Sequence, residues 1–213
     1  MNICVAGWYF KQFDDFYLAL MRISYRYPVY VVANREDDYL KIMGFPYCIR
    51  ENTGLEWGAY NHYLMNIWDD ESNVLFCHDD IILHPLGIDY EIHPGEKVFE
   101  KIAQLPHDQA YIFQDRRQDA VNHSMHGRMI FMSPRLLKKF KDNGGFWYDE
   151  NNGGYITGDD EHLKNKMDCY GYNAAILKFH HGIKESYPEL DIHNRVYMPN
   201  IEMMKRGKSR KVA

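Results

Sequence analysis

Two adjacent carboxylates, Asp79 and Asp80, stand where the apolar run Val74-Leu75-Phe76-Cys77 breaks at His78, before apolar residues resume at Ile81. A buried strand does not carry such a pair unless something neutralises it, or unless the pair sits at the strand's end facing a cation. A divalent metal holding a diphosphate would supply that cation, with carboxylate oxygens as hard ligands. A capping or turn pair of Asp residues is the plainer alternative. Three further clusters offer chemistry. Asn52, Gly54, Gly58 and Asn61 combine glycines, which let backbone approach a ligand, with amides that both donate and accept. That spacing is neither a dinucleotide loop nor a GK[ST] phosphate loop, and a turn followed by a helix start accounts for it equally well. Gly158-Asp159-Asp160-Glu161 opens a helical pattern, where the dipole favours negative charge. A carboxylate there could also take the proton of an incoming hydroxyl. His180-His181 leaves an apolar run and could ligate a metal.

The elements that must position these groups follow from periodicity. Asn2 to Ala6, Tyr30 to Ala33, Pro46 to Arg50 and the run from Val74 read as strands. Phe13, Phe16, Tyr17, Leu20 and Ile23 fall at helical spacing, and Asp37 to Met43 predicts a short helix closed by Gly44. Trp57, Tyr60, Leu64, Ile67 and Trp68 form one helical stripe. Later come a helix at Glu96 to Gln104, strands at Ala110 to Gln114 and Arg128 to Met132, and a helix at Pro134 to Lys141. A helix from Asp159 to Cys169 and a last strand from Ala174 to Phe179 complete the pattern, and the remainder reads as irregular. Strands alternating with helices predict an open α/β sheet, largely parallel. Ligands of such sheets bind outside the carboxyl ends of the strands, where His78, Asp79 and Asp80 fall.

The chain has 213 residues, enough for one domain with a sizeable core. A net charge of −5 provides no basic field, so nucleic acid is not the expected partner. Aromatic residues reach 15%, which suits either a stacking or sugar-binding cleft or an ordinary Tyr-rich core. Cys4, Cys48, Cys77 and Cys169 have no zinc spacing, and Cys4, Cys48 and Cys77, in or beside apolar runs, read as small buried hydrophobes in a reducing compartment. Neither a signal peptide nor a membrane span is evident, so a cytoplasmic protein is expected. The basic end, Lys205 to Ala213, reads as a solvated tail, with at most a peripheral contact to anionic lipid.

Taken in chain order, the four clusters resemble the GT-A nucleotide-sugar glycosyltransferases, closest to the inverting family 2-like enzymes. Asn52-Thr-Gly54-Leu-Glu-Trp-Gly58-Ala-Tyr-Asn61 resembles that family's Asn-x-Gly…Gly…Asn segment. Val74 to Asp80 is similar to its apolar strand ending in a DxD-type metal motif. The stretch from Gly127 to Met132, with Gly144-Gly145-Phe146 and Asp149-Glu150, is similar to its strand, helix and Gly-Gly-Phe-Asp-Glu segment, although Trp147 and Tyr148 interrupt the run. Gly158-Asp159-Asp160 resembles its base-bearing helix, with Asp-Asp in place of Glu-Asp. His78 stands where the family's first metal-motif Asp is usual, as in a subgroup of these enzymes.

The resemblance covers residues 2 to 186 and implies a GT-A (Rossmann-like) mixed, mostly parallel sheet flanked by helices. It implies one catalytic domain over 1–200 and a basic tail over 201–213. The implied reaction is metal-dependent transfer of a sugar from a nucleotide-diphosphate sugar to an acceptor hydroxyl, with inversion. Mn²⁺ or Mg²⁺ would be held by Asp80 with His180 or His181, and Asp160, or else Asp159, would be the base. Ala6, Trp8, Asn34, Glu36, Asn52, Gly54, Gly58, Asn61, His78 and Asp79 would line the donor site, with Asp79 nearer the ribose or sugar. The acceptor would be a glycan, a lipid-linked molecule or a small molecule. Arg116, Arg117, His123 and His126 either steer an acidic acceptor or are plain surface residues. The competing readings are a metal-dependent phosphohydrolase or nucleotidyltransferase and a non-catalytic nucleotide- or carbohydrate-binding module. A second cluster of the kind two-metal hydrolases need is missing from the sequence, whereas His78 keeps the module reading open.

Overall fold

The computed structural model describes residues 1–83, 94–105, 111–114, 129–142, 144–146, 195–197 and 201–203. The expected helix at 159–169 and strand at 174–179 lie outside the described residues, as do Asp159, Asp160, His180 and His181.

The N-terminal half is built from short aliphatic strands. β1 (Asn2–Gly7), β2 (Val29–Ala33) and β4 (Val74–His78) are buried along almost their whole length, as befits parallel strands covered on both faces. β3 (Tyr47–Ile49) lies at one edge. Together with β6 (Tyr111–Gln114), β7 (Met129–Met132) and β8 (Arg195–Tyr197), these strands form, among the described residues, a seven-stranded sheet in the order β3-β2-β1-β4-β7-β6-β8. β1 pairs in parallel with β2 and β4, β2 with β3, and β6 with β8. β7 runs antiparallel to β4 and to β6. The sheet is thus mixed but mostly parallel, a Rossmann-like α/β architecture. A separate two-stranded ribbon pairs β5 (Ile81–Leu83) with β9 (Ile201–Met203). β8 and β9 fall in the stretch expected to be irregular.

Alternation along the strands divides the core into two halves. Ile3, Val5, Val31, Leu75 and Cys77 face one side, where α1 (Asp14–Ile23), α2 (Tyr39–Met43) and α4 (Pro94–Ala103) pack through residues such as Phe16, Leu20, Leu40 and Phe99. Cys4, Ala6, Val32, Val74 and Phe76 face the other side, against α3 (Leu55–Asn66) and α5 (Pro134–Asp142). A single 3-10 turn, Phe10–Phe13, leads into α1. α2 ends, as expected, at Gly44 in the left-handed conformation (φ 72°). α5 starts with Pro134 after Ser133, whose hydroxyl accepts the Leu136 N–H at 3.4 Å. The stripe expected to run to Trp68 stops earlier: α3 ends at Asn66, and Trp68 reaches the core from the loop beyond, its indole N–H donating to the Ser72 carbonyl at 2.8 Å. Cys4 and Cys77 are buried and Cys48 half-buried, all as free thiols. Among the described residues, no helix is long and apolar enough to cross a membrane.

Candidate functional site

The chain runs from β1 outward to β2 and β3, then returns through α3 to β4 on the other side of β1. That reversal opens a crevice at the carboxyl ends of β1 and β4, the place where open α/β sheets bind ligands. A cavity of about 190 Å³ lies there. The loop after β1 contributes Trp8 and Tyr9, and the end of β2 contributes Asn34. The entry to α3 supplies Asn52, Leu55 and Glu56, while His78 and Asp80 close it from the end of β4.

Strand alternation explains which acidic residue reaches the cavity. Val74, Phe76, His78 and Asp80 share a parity, and the first two face the α3 side. His78 and Asp80 follow them onto the cavity wall. Asp79, one residue out of phase, points to the α1 side and is fully buried. There its Oδ2 accepts the backbone N–H groups of Trp8 (2.9 Å), Tyr9 (2.7 Å) and Phe10 (2.9 Å), and the Tyr17 hydroxyl at 3.0 Å. Burial lifts the Asp79 carboxyl above its usual range, although His78 and the three amides pull it down. Burial likewise raises the Tyr17 phenol, with Asp79 adding to the effect, so Tyr17 remains a donor. The expectation that Asp79 meets the ribose or sugar does not match this placement.

The two carboxylates therefore share His78 between them, and the loop amides hold Asp79 in addition. The His78 Nδ1 lies 3.0 Å from Asp80 Oδ1 and 3.6 Å from Asp79 Oδ1. Burial opposes charge on the imidazole, yet the Asp80 carboxylate, helped by Asp79 and Glu56, outweighs it and pushes His78 up to about 9. The Tyr9 ring meets His78 edge-on, with centroids 5.7 Å apart. Glu56 is 7% exposed and sits in the first turn of α3.

The Asn-x-Gly segment acts mostly on its own backbone. Gly54 is left-handed (φ 72°) and precedes Leu55, itself at φ 46°. The Arg50 guanidinium spans this entry: Nη1 donates to Asn34 Oδ1 at 2.8 Å, and Nη2 to the Thr53 carbonyl and hydroxyl at 2.7 and 2.8 Å. Asn34 Nδ2 donates in turn to the Leu55 carbonyl at 3.2 Å. A Cβ on Gly58 would lie 2.0 Å from the Thr53 carbonyl oxygen, so this glycine admits the chain's own loop rather than a ligand. Asn61 Oδ1 accepts the Phe146 N–H at 2.7 Å, joining α3 to the Gly144-Gly145-Phe146 turn. The two segments read from the sequence as separate motifs thus meet through Asn61.

Of the predicted donor-site residues, Trp8, Asn34, Asn52 and His78 line the cavity, as does the predicted metal ligand Asp80. Ala6 is buried in β1 against the α3 side of the core, Glu36 is exposed beyond β2, and Gly54, Gly58 and Asn61 shape α3. None of these five is on the cavity wall. Tyr9, Leu55, Glu56 and Arg50 were not foreseen. Tyr9 had a signal, its place beside Trp8 after a strand, and Leu55 and Glu56 stand within the Asn52 to Asn61 segment, whereas Arg50 had no local one. The Asp80 carboxylate, 4% exposed, offers hard oxygen donors to the cavity. One carboxylate completed by substrate phosphates is a common shell for Mg²⁺, so the residue fits such an ion. Among the described residues, no group of three His, Cys, Asp or Glu is arranged to hold a metal by itself.

No protein-family model matches the chain. No curated protein matches it either. Among solved structures, it is similar to the glycosyltransferase GlyE of Streptococcus pneumoniae TIGR4. The apo form aligns at 15% identity and a TM-score of 0.45, covering 96% of this chain and 54% of that one. A second GlyE structure aligns at 13% identity and a TM-score of 0.49, covering 100% and 56%. A 4-diphosphocytidyl-2C-methyl-D-erythritol synthase from Anaerococcus prevotii DSM 20548 aligns at 10% identity and a TM-score of 0.42, covering 78% and 83%. The chain spans little more than half the length of the two GlyE chains.

Proposed function

We propose that the chain binds a nucleotide-diphosphate sugar in the crevice at the ends of β1, β2 and β4, and that it is an inverting, metal-dependent glycosyltransferase of GT-A type. The observation that supports this reading most is the make-up of the cavity at the topological switch point. It joins a half-buried indole, two side-chain amides and two buried carboxylates within one small space. At about 190 Å³ the cavity is smaller than the roughly 300–1,000 Å³ of most ligand pockets, so it suits one part of a donor, the nucleoside.

In this reading Trp8 stacks on the nucleobase, and Asn34 and Asn52 hydrogen-bond the nucleoside. Asp80, with His180 or His181, would hold Mn²⁺ or Mg²⁺, which when bound stabilises charge on the departing diphosphate. His78 holds the Asp80 carboxylate in place from the neighbouring position on the same face. Asp160, or Asp159, accepts the proton of the acceptor hydroxyl as its oxygen bonds to the anomeric carbon and the bond to the diphosphate breaks. The acceptor is a glycan, a lipid-linked molecule or a small molecule.

A thermal-shift screen tests this directly. UDP, GDP and dTDP are added with and without Mn²⁺, and slow hydrolysis of the matching sugar nucleotides is followed. The expected result is metal-dependent stabilisation by one of the nucleotides together with turnover of its sugar donor. No stabilisation by any of the three would overturn the proposal, and tight binding without turnover across an acceptor panel would convert it to a binding module.

A further inference from the structure

The cavity wall formed by Trp8 and Tyr9 is held from behind by a residue that is not on the cavity. Three consecutive amides, those of Trp8, Tyr9 and Phe10, converge on one carboxylate oxygen of Asp79 at 2.7 to 2.9 Å. Consecutive N–H groups point at one anion only if the backbone curls around it, and hydrogen bonds to an ionised oxygen are about twice as strong as neutral ones. The curl carries a cost, since Phe10 sits at φ 34°, where side-chain-bearing residues are uncommon. The same oxygen accepts the Tyr17 hydroxyl of α1 at 3.0 Å, so the loop, the end of β4 and α1 share one anchor.

We propose that Asp79 is a positioning residue that fixes the loop after β1, so that Trp8 faces the nucleoside, and that it sets donor affinity without touching the donor. This rests on the nucleotide-binding reading of the cavity. A residue that met the ribose itself would act independently of Trp8. A residue that acts through the loop has no effect left once the Trp8 side chain is gone.

The test is a double-mutant cycle on Asp79→Asn and Trp8→Ala, read as nucleoside diphosphate affinity in the presence of Mn²⁺, with hydrogen exchange of the amides of residues 8–10 as a ligand-free measurement. Asp79→Asn keeps the shape of the side chain but removes its charge. It should weaken binding about tenfold and speed exchange at residues 8–10 by a similar factor, while Trp8→Ala leaves their exchange unchanged. In the Trp8→Ala background Asp79→Asn should weaken binding no further. Tyr17→Phe removes one donor from the same oxygen and should give a smaller loss that also vanishes without Trp8, which keeps the test intact if Asp79→Asn does not fold. Additive losses, or unchanged exchange in folded Asp79→Asn, would overturn the inference while the nucleotide reading stands. A wild-type protein that binds none of UDP, GDP and dTDP would overturn both.

Discussion

The His78 imidazole and the Asp80 carboxylate face each other over 3.0 Å, from Nδ1 to Oδ1, on one face at the end of β4. Their partner in sequence, Asp79, is turned away from the cavity to hold the neighbouring loop. One tripeptide therefore serves both sides of the sheet.

The pairing makes stability depend on pH with a definite sign. The folded-state pKa of His78, about 9, exceeds its ordinary value of 6.5. Its contribution is therefore full below about pH 6.5 and is lost as the pH rises through about 9. Urea unfolding of the metal-free protein across that window should show stability falling, by about 3 kcal/mol at most. Asp80→Asn should flatten this part of the profile. A wild-type profile as flat as that of the variant would show that His78 is not charged by Asp80.

Loss of the cavity carboxylate should separate chemistry from folding. Asp80→Ala leaves His78 free to become neutral, so the fold should survive while transfer from the sugar nucleotide identified in the screen is abolished. In Asp160→Asn the donor should still bind, and transfer should fall by about 10²-fold, the scale of a lost general base. Full turnover in Asp80→Ala, or weakened donor binding with normal turnover in Asp160→Asn, would contradict these roles.

Arg50 ties the end of β2 to the entry of α3 through Asn34 and Thr53. Arg50→Ala removes three hydrogen bonds from a charged donor and should lower unfolding free energy by about 1–3 kcal/mol. It should also weaken nucleotide binding, because Asn34 loses its orientation on the cavity wall. Arg50→Lys should recover little of either, since an ammonium cannot reproduce the planar fork. Calorimetric titration alongside urea unfolding reads both effects.

Two glycines should respond very differently to Ala. At Gly44 nothing lies within 4 Å of an added Cβ, so only the left-handed backbone is penalised, by about 1–2 kcal/mol. At Gly58 the helix would gain about 1 kcal/mol, but the Cβ would be driven to within 2.0 Å of the Thr53 carbonyl oxygen. The net effect there should be a destabilisation of about 2 kcal/mol or more. Equal unfolding free energies for Gly58→Ala and the wild type would show that the α3 entry is not packed as described.

Apolar runs and helical spacing placed β1, β2, β4, α1, α3 and α5 to within a few residues, because burial of one face leaves a local periodic trace. The parity of β4 was equally legible. Val74, Phe76, His78 and Asp80 alternate with Leu75, Cys77 and Asp79, so the two carboxylates had to part unless the strand ended sooner. Reading Asp79 and Asp80 as one cluster overlooked that period of two. Asn61 shows the opposite case. Nothing around it announces that its amide will accept the N–H of Phe146, 85 positions later. Likewise, no feature of Gly58 reveals that the carbonyl of Thr53 will crowd it.

By itself, then, the sequence determined the kind of layers, the faces of the strands and the presence of acidic and imidazole groups at a strand end, since each depends on residues a few positions apart. The tertiary structure decided which partners these groups met: that β1 lies between β2 and β4, that three loop amides close on Asp79, and that Arg50 braces Asn34. Those contacts depend on the order of strands in the sheet and the path of the connecting loops. Both are set by packing across distant parts of the chain, which local spacing does not record.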